Sequence, residues 1–251
     1  MIVSQGKTKL LSRSAMVVLT STLLLGCGES SNSESTGQGS SNADNSSLPL
    51  TGSWEDQIQA TNILGKAVEL TLVTLNGAAL LAQDHQRLGN TFACAGGGTS
   101  TQTVSGANVT FTTDKCVHSN YQFSGTYTTT LKTNTRLSIN SNGQIVDLQN
   151  TNNQAMSPTY HLKTSPESYI DTTSNTLEMV NTITIPSDLQ PQLQAGTYQL
   201  NLKGVSSNLS GQLTGSNEQK IDWEYRNGSL IIDGNSVSSS NAIPSSLHFS
   251  Y

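Results

Sequence analysis

The chain has 251 residues, of which 34% are hydrophobic, 5% aromatic and 12% charged, with a net charge of -5 at pH 7. Residues 1–26 hold Lys7, Lys9 and Arg13 and no acid, so the remainder carries 9 basic against 17 acidic residues, a net of -8. That balance argues against a nucleic-acid partner, which needs basic surface to displace counterions, and against electrostatic adhesion to an anionic membrane. The polarity comes instead from Ser, Thr, Asn, Gln and Gly. Threonine suits a pleated surface, so the composition predicts a β-fold with a thin core.

The chain opens with a positive segment, Lys7, Lys9 and Arg13, followed by the apolar run AMVVLTSTLLL at residues 15–25. That run is too short to span a bilayer, which takes about 20 apolar residues, but it has the length of a signal-peptide core. Leu24-Leu25-Gly26-Cys27 follows. These four residues resemble the lipobox of bacterial lipoproteins: an aliphatic residue three before the cysteine, a small one just before it, then Cys. Leu25 departs from the Ala, Ser or Thr usual at its position.

The resemblance covers the first 27 residues and implies cleavage after Gly26, diacylglycerol on the Cys27 sulfur and acylation of the new N-terminus. A single acyl chain binds a membrane marginally; two or three, at about 0.8 kcal/mol per buried CH₂, hold stably. Gly28 rather than Asp follows Cys27. In the enteric sorting pattern that implies the outer membrane, if the cell is Gram-negative. The expected organisation is a signal peptide over residues 1–26, a lipidated Cys27 with a flexible linker to residue 50, and a single β-rich domain over 51–251.

Residues 28–50 contain no Lys, no Arg and no aromatic. Such a segment is a flexible tether averaging about 26 Å end to end and reaching roughly 75 Å when extended. Once Cys27 is assigned to the lipid, Cys94 and Cys116 remain as a pair. An exported chain meets an oxidising compartment, so a Cys94–Cys116 disulfide is expected, with two free buried thiols as the alternative. No CxxC occurs, and His118 beside Cys116 is a weak ligand set. No metal and no cofactor are expected.

Thr51-Gly52-Ser53-Trp54 resembles the Gly-x-Trp start of lipocalin-like barrels, in which the Trp plugs the barrel base. The match covers four residues, with no partner Arg to complete the pattern. Beyond it, strand patterns recur. Residues 67–76, AVELTLVTLN, place Val68, Leu70, Leu72 and Thr74 on one face of an expected strand. Residues 78–88, AALLAQDHQRL, fit either a short amphipathic helix or a strand pair. Residues 108–113 and 121–132 alternate. Residues 136–140 and 144–149 flank Ser141-Asn142-Gly143, an expected hairpin loop. Residues 177–185, 197–203, 220–226 and 229–233 alternate again, the last two joined by Asn227-Gly228, and residues 246–251 end on Leu247, Phe249 and Tyr251. With Gly and Asn/Ser turns between runs, the expected class is all-β, an antiparallel sandwich or up-and-down barrel.

Chemistry-bearing patterns are sparse. Asp222 and Glu224 share one face of a strand, with Trp223 opposite. Paired carboxylates can perform glycoside acid–base chemistry, but i, i+2 acids also line wet strand faces. His85, His118, His161 and His248 show no metal-binding spacing. There is no Gly-x-Ser-x-Gly elbow. Gly96-Gly97-Gly98 lacks the following Lys-Ser of a phosphate loop and lies inside the expected disulfide loop. Leu247, Phe249 and Tyr251 look like the last strand of an outer-membrane barrel, yet residues 126–135 and 205–214 are too polar on both faces for one.

The expected function is therefore a lipid-anchored envelope protein with a non-catalytic β interaction domain that meets an envelope protein or an extracellular partner. One alternative is a lipocalin-like barrel holding a small apolar ligand in a cavity lined by Trp54, Leu70, Leu72 and Phe123. Another is an envelope hydrolase whose polar residues converge from several strands.

Overall fold

The computed structural model describes residues 49–118, 120–148, 157–187, 193–205, 208–226 and 229–237. Residues 1–48, which hold the expected leader, Cys27 and all but the last two residues of the expected linker, lie outside the described residues, as do the expected Asn227-Gly228 turn, His248 and Leu247, Phe249 and Tyr251. Among the described residues, one helix, α1 (Gln57–Leu88), precedes an antiparallel sheet. The strands are β1 (Thr91–Ala93), β2 (Thr99–Ser105), β3 (Asn108–His118), β4 (Tyr121–Leu131), β5 (Arg136–Asp147), β6 (Thr159–Thr164) and β7 (Tyr169–Asp171). They continue as β8 (Thr176–Ile185), β9 (Gly196–Val205), β10 (Asn208–Thr214), β11 (Lys220–Arg226), β12 (Ser229–Ile232) and β13 (Asn235–Val237).

The sheet is an up-and-down meander. Each strand pairs antiparallel with its neighbours in sequence, and the single irregularity is at β6 and β7. These two are halves of one interrupted strand: β6 and β7 both lie between β5 and β8, on either side of residues 165–168. Pro166 in that interruption has no N–H to donate to a ladder. Its carbonyl accepts from Ser138 Oγ at 3.0 Å. Among the described residues no ladder joins β13 back to β1.

The expected strand over residues 67–76 is corrected by the structure: all ten residues are helical, within the 32-residue α1. The reason is burial from nearly every side. Between Ala60 and Gly77 every residue is buried except Asn62, Lys66, Glu69, Val73 and Asn76, which form one narrow stripe at three- and four-residue spacing. Residues two apart on a helix project about 200° apart, so Val68, Leu70, Leu72 and Thr74 face different directions and are all buried. The sheet must curve to achieve this. Glu69 and Thr71 point to opposite sides of α1, and their partners sit on β4 and β8 respectively.

Local features support the helix. Asp56 caps its start by accepting from Gln59 N at 2.8 Å, and Gly89 closes its end with φ 96° and an N–H bonded to His85 O at 2.9 Å. Threonines inside the helix donate back one turn: Thr61 to Gln57 O, Thr71 to Ala67 O and Thr74 to Leu70 O, at 2.7–2.9 Å. This satisfies hydroxyls that would otherwise be stranded in a core. Residues 78–88 are likewise helical. The helix has the length and apolarity of a membrane span, yet most of its apolar residues between Ala60 and Leu81 are buried in the fold, with Ile58, Leu80 and Leu88 exposed.

The expected hairpin at Ser141-Asn142-Gly143 is also corrected, because β5 runs straight through it. Gly143 does not adopt a positive φ. It lies opposite Gly125 of β4, and a Cβ on Gly143 would press on Ser124 O at 2.8 Å. Glycine serves close strand approach here, not a turn.

The disulfide between Cys94 and Cys116 is present, with Cα atoms 5.4 Å apart. It ties the end of β1 to a bulge in β3, where Lys115 has φ 52°. The closed loop spans 22 residues. In the chain-entropy description, replacing both cysteines by Ala costs about 3 kcal/mol. Urea unfolding should show that loss as a lower midpoint with the β-rich circular dichroism spectrum retained.

Tyr127 and Tyr198 are buried, and burial raises both hydroxyl pKa values, that of Tyr198 to about 12. The folded state therefore prefers the protonated form. Their contribution is complete below pH 10 and is lost as pH rises through the folded pKa. Each tyrosine accounts for at most about 1.4 kcal/mol per pH unit above 10. Stability measured by urea between pH 9 and 12 should fall steeply above 10, and Tyr198→Phe should make the fall shallower.

Candidate functional site

Strands β8, β9, β11 and β12 alternate in the expected manner, and β10, which is not among the expected strands, completes the set. Leu177, Met179, Leu200, Leu202, Leu209, Leu213, Ile221, Trp223, Leu230 and Ile232 are buried. The residues between them project from the outer face. The ladder registers align that outer face into two rows. Glu178 lies beside Lys203, Lys203 beside Ser210, Ser210 beside Glu224 and Glu224 beside Ile231. In the second row Val180 lies beside Asn201, Asn201 beside Gln212 and Gln212 beside Asp222.

At about 4.8 Å between strands, the first row reaches roughly 19 Å across five strands. Together the rows line a groove of about 850 Å³ that also touches Arg226 and Gly234. Its charged groups are Glu178, Asp222 and Glu224 against Lys203 and Arg226.

Several of these side chains are held in place. Gln212 Nε2 donates to Asp222 Oδ1 at 2.9 Å, Arg226 Nη2 to Glu224 Oε2 at 2.8 Å, and Tyr169 OH to Glu178 Oε2 at 2.7 Å. The Arg136 guanidinium sits over the Tyr169 ring, 3.5 Å from its centroid. Asp233 Oδ1 accepts the backbone N–H of Asp222. Asp222 and Glu224 do share a face with Trp223 opposite, and each carboxylate already accepts a hydrogen bond from its neighbour. The groove can present a fixed array of amide, carboxylate, hydroxyl and cationic groups to a polar ligand.

The four residues expected around an apolar cavity are not brought together. Leu70 and Leu72 project from opposite sides of α1, which occupies the space the sheet encloses. Phe123 packs against Gly77 of the helix. Trp54 is half-buried ahead of α1, its ring stacked on Tyr198 with centroids 6.4 Å apart. Its backbone exchanges two hydrogen bonds with the Gln219 side chain, at 3.2 and 2.9 Å. Trp54 thus pins the entry to α1 onto the β9–β11 end of the sheet.

The described histidines, His85, His118 and His161, lie on different elements. His85 is buried on α1 between Phe92 and Phe111; Nδ1 contacts Gly89 O at 2.8 Å and Nε2 contacts Ser100 Oγ at 2.9 Å. Both ring nitrogens are satisfied, so His85 is a structural residue that docks the helix onto β1–β3. His161 is exposed on β6. His118 lies near the disulfide. The Gly96-Gly97-Gly98 segment does fall inside the disulfide loop, packed on β3 through the Val117 N–H to Gly97 O bond at 3.0 Å.

A second polar cluster lies on the open stripe of α1. Lys66 Nζ contacts Glu69 Oε1 at 2.9 Å and Asp147 Oδ2 at 3.4 Å, and lies over the Tyr160 ring. Tyr121 OH donates to Glu69, and burial together with that carboxylate pushes the Tyr121 hydroxyl well above its ordinary range. Sequence reasoning missed this cluster, because residues 66 and 69 become neighbours only on a helix. It fastens α1 to β4, β5 and β6. No protein family, curated protein or solved structure matches the chain.

Proposed function

We propose that the chain is a lipid-anchored envelope protein, attached through Cys27, whose β domain is a non-catalytic interaction module working through the β8–β12 groove. The observation that carries the interaction reading is the pair of polar rows on the outer face. Ladder register places hydrogen-bonding side chains at about 4.8 Å intervals over four strands, β8 to β11, and cross-links such as Gln212–Asp222 connect them. Pre-ordered groups lose little side-chain freedom on binding. The Lys7, Lys9, Arg13 segment, the apolar run after it and the Leu24-Leu25-Gly26-Cys27 sequence support the anchor. The residue after the cysteine, Gly28, supports placement in the outer membrane of a Gram-negative cell.

The anchor is tested by intact mass of the membrane-extracted protein. A mature chain beginning at Cys27 with an acyl adduct is expected, and Cys27→Ser should leave an unlipidated chain in the soluble fraction. The groove is tested with a photo-crosslinking residue at Gln212 in intact cells, compared with one at Thr130 on β4. A discrete adduct specific to position 212 is the expected result; equal labelling at both positions would remove the groove from the proposal.

A further inference from the structure

We propose that Cys94, Cys116 and His118 form a redox-gated site for a thiophilic divalent metal such as Zn²⁺, closed while the disulfide stands and opened by a dithiol reductant. Three observations carry this. The two sulfurs and a ring nitrogen of His118 all lie within 4.8 Å of one another. His118 Nε2 is sealed from solvent without a hydrogen-bond partner. The backbone that positions the cysteines is held independently of the S–S bond.

Among the buried side-chain atoms without a hydrogen-bond partner, this nitrogen is the one on a metal-ligating side chain that neighbours two sulfurs. A buried polar atom left unpaired costs about 1–3 kcal/mol, and native structures satisfy nearly all such atoms. His85 shows the ordinary solution in this same protein, with both ring nitrogens paired. His118 instead keeps its Nε2 unpaired, on a ring of which one nitrogen lies within 4.8 Å of both sulfurs. A neutral imidazole lone pair and two thiolates are a zinc donor set. Among the described residues no fourth protein ligand completes the cluster, which leaves the remaining position for water or an external ligand.

The geometry suits opening. Ligand atoms around tetrahedral zinc stand about 3.5–3.8 Å apart, given Zn–S near 2.3 Å and Zn–N near 2.0–2.1 Å. Cα atoms 5.4 Å apart allow the sulfurs to reach that separation by side-chain rotation alone. Cys94 N–H donates to Gly98 O at 3.0 Å, and Gly97 N–H donates to Cys94 O at 2.9 Å. The Val117 N–H to Gly97 O bond ties that turn to β3. None of these contacts involves the S–S bond, so each is available to hold the thiols beside His118 after reduction.

The chemistry balances simply. A dithiol delivers two electrons and two protons to the disulfide, becomes a disulfide itself, and leaves Cys94–SH and Cys116–SH. Metal binding then releases the two thiol protons as the sulfurs ligate, while His118 contributes a neutral lone pair.

The test uses the full chain carrying Cys27→Ser, so that Cys94 and Cys116 are the only cysteines. Co²⁺ is titrated into oxidised and phosphine-reduced protein, followed by thiolate-to-cobalt absorption in the near ultraviolet, and Zn²⁺ is then added as competitor. One equivalent bound by the reduced chain, none by the oxidised chain and displacement by Zn²⁺ are expected. His118→Ala should weaken binding by at least roughly tenfold, a loss seen even for groups that only support a ligand, and Cys94→Ser should abolish the absorption. The proposal is overturned by absent charge-transfer bands in the reduced chain or by wild-type affinity in His118→Ala. A reduced chain that unfolds and is not refolded by Zn²⁺ overturns it equally.

Discussion

Thr71→Lys should destabilise the domain by more than about 4 kcal/mol and unfold it in most buffers. Thr71 is fully buried on α1; its hydroxyl donates to Ala67 O at 2.9 Å and accepts from Asn181 Nδ2 of β8, also at 2.9 Å. A lysine there places an unpaired ammonium between helix and sheet and strands the Asn181 amide. Uncompensated buried charge belongs to the few mechanisms that produce losses of this size. The same substitution separates the two ways of reading residues 67–76. On a strand with Val68, Leu70 and Leu72 facing inward, position 71 faces water and accepts lysine at little cost. Asn76→Lys, on the exposed stripe of α1, is the control, expected within about 0.5 kcal/mol of wild type. Urea unfolding of both variants checks the pair, and a stable Thr71→Lys would refute the buried helix.

Trp223→Ala should cost about 3–5 kcal/mol, the range for deleting a large aromatic ring from a core. Trp223 is the largest side chain that is fully buried, and it lies directly beneath the groove, between Asp222 and Glu224. Its Nε1–H is buried without a partner. Trp223→Phe should therefore lose much less, about 1–2 kcal/mol, because it fills most of the ring space and removes a donor whose burial is itself unfavourable. Equal losses in the two variants would mean that the indole nitrogen carries a stabilising contact. The consequence for function is direct: a collapsed floor shifts Asp222 and Glu224 together, so Trp223→Ala should also lose the crosslink expected at Gln212.

Strands buried on one face were legible in the sequence. Leu177, Met179, Asn181, Ile183 and Ile185 alternate on β8, and Tyr198, Leu200 and Leu202 alternate on β9, as their burial requires. The helix was not legible, for a physical reason. Sequence periodicity reports the contrast between a dry and a wet face, and α1 has almost no wet face between Ala60 and Gly77. What remained was an apolar stretch in which Val68, Leu70 and Leu72 happen to alternate. Its length, running well past the usual extent of a strand, and the Asp56 cap were the available signals.

The site divides the same way. Asp222 and Glu224 on one face follow from the two-residue period of a strand. That Gln212 and Lys203 join them follows only from register, which is set by pairing between strands. The disulfide was legible through cysteine arithmetic, whereas the orphaned nitrogen of His118 depends on what surrounds it in three dimensions.

The helix inside the sheet also dictates an order of assembly. The C-terminal end of α1 finds partners close by in sequence: His85 meets Ser100 only 15 residues later, together with Phe92 and Phe111. The middle waits for Asn181, 110 residues beyond Thr71, and the entry at Trp54 waits for Gln219, 165 residues away. Loop closure makes early contacts local, so the sheet should engulf α1 from its last turn towards its first as each hairpin is added. Until β8–β11 arrive, the first turns of an apolar, membrane-length helix stand uncovered. A folding chain spends that interval exposing an apolar surface of the kind that chaperones and bilayers bind.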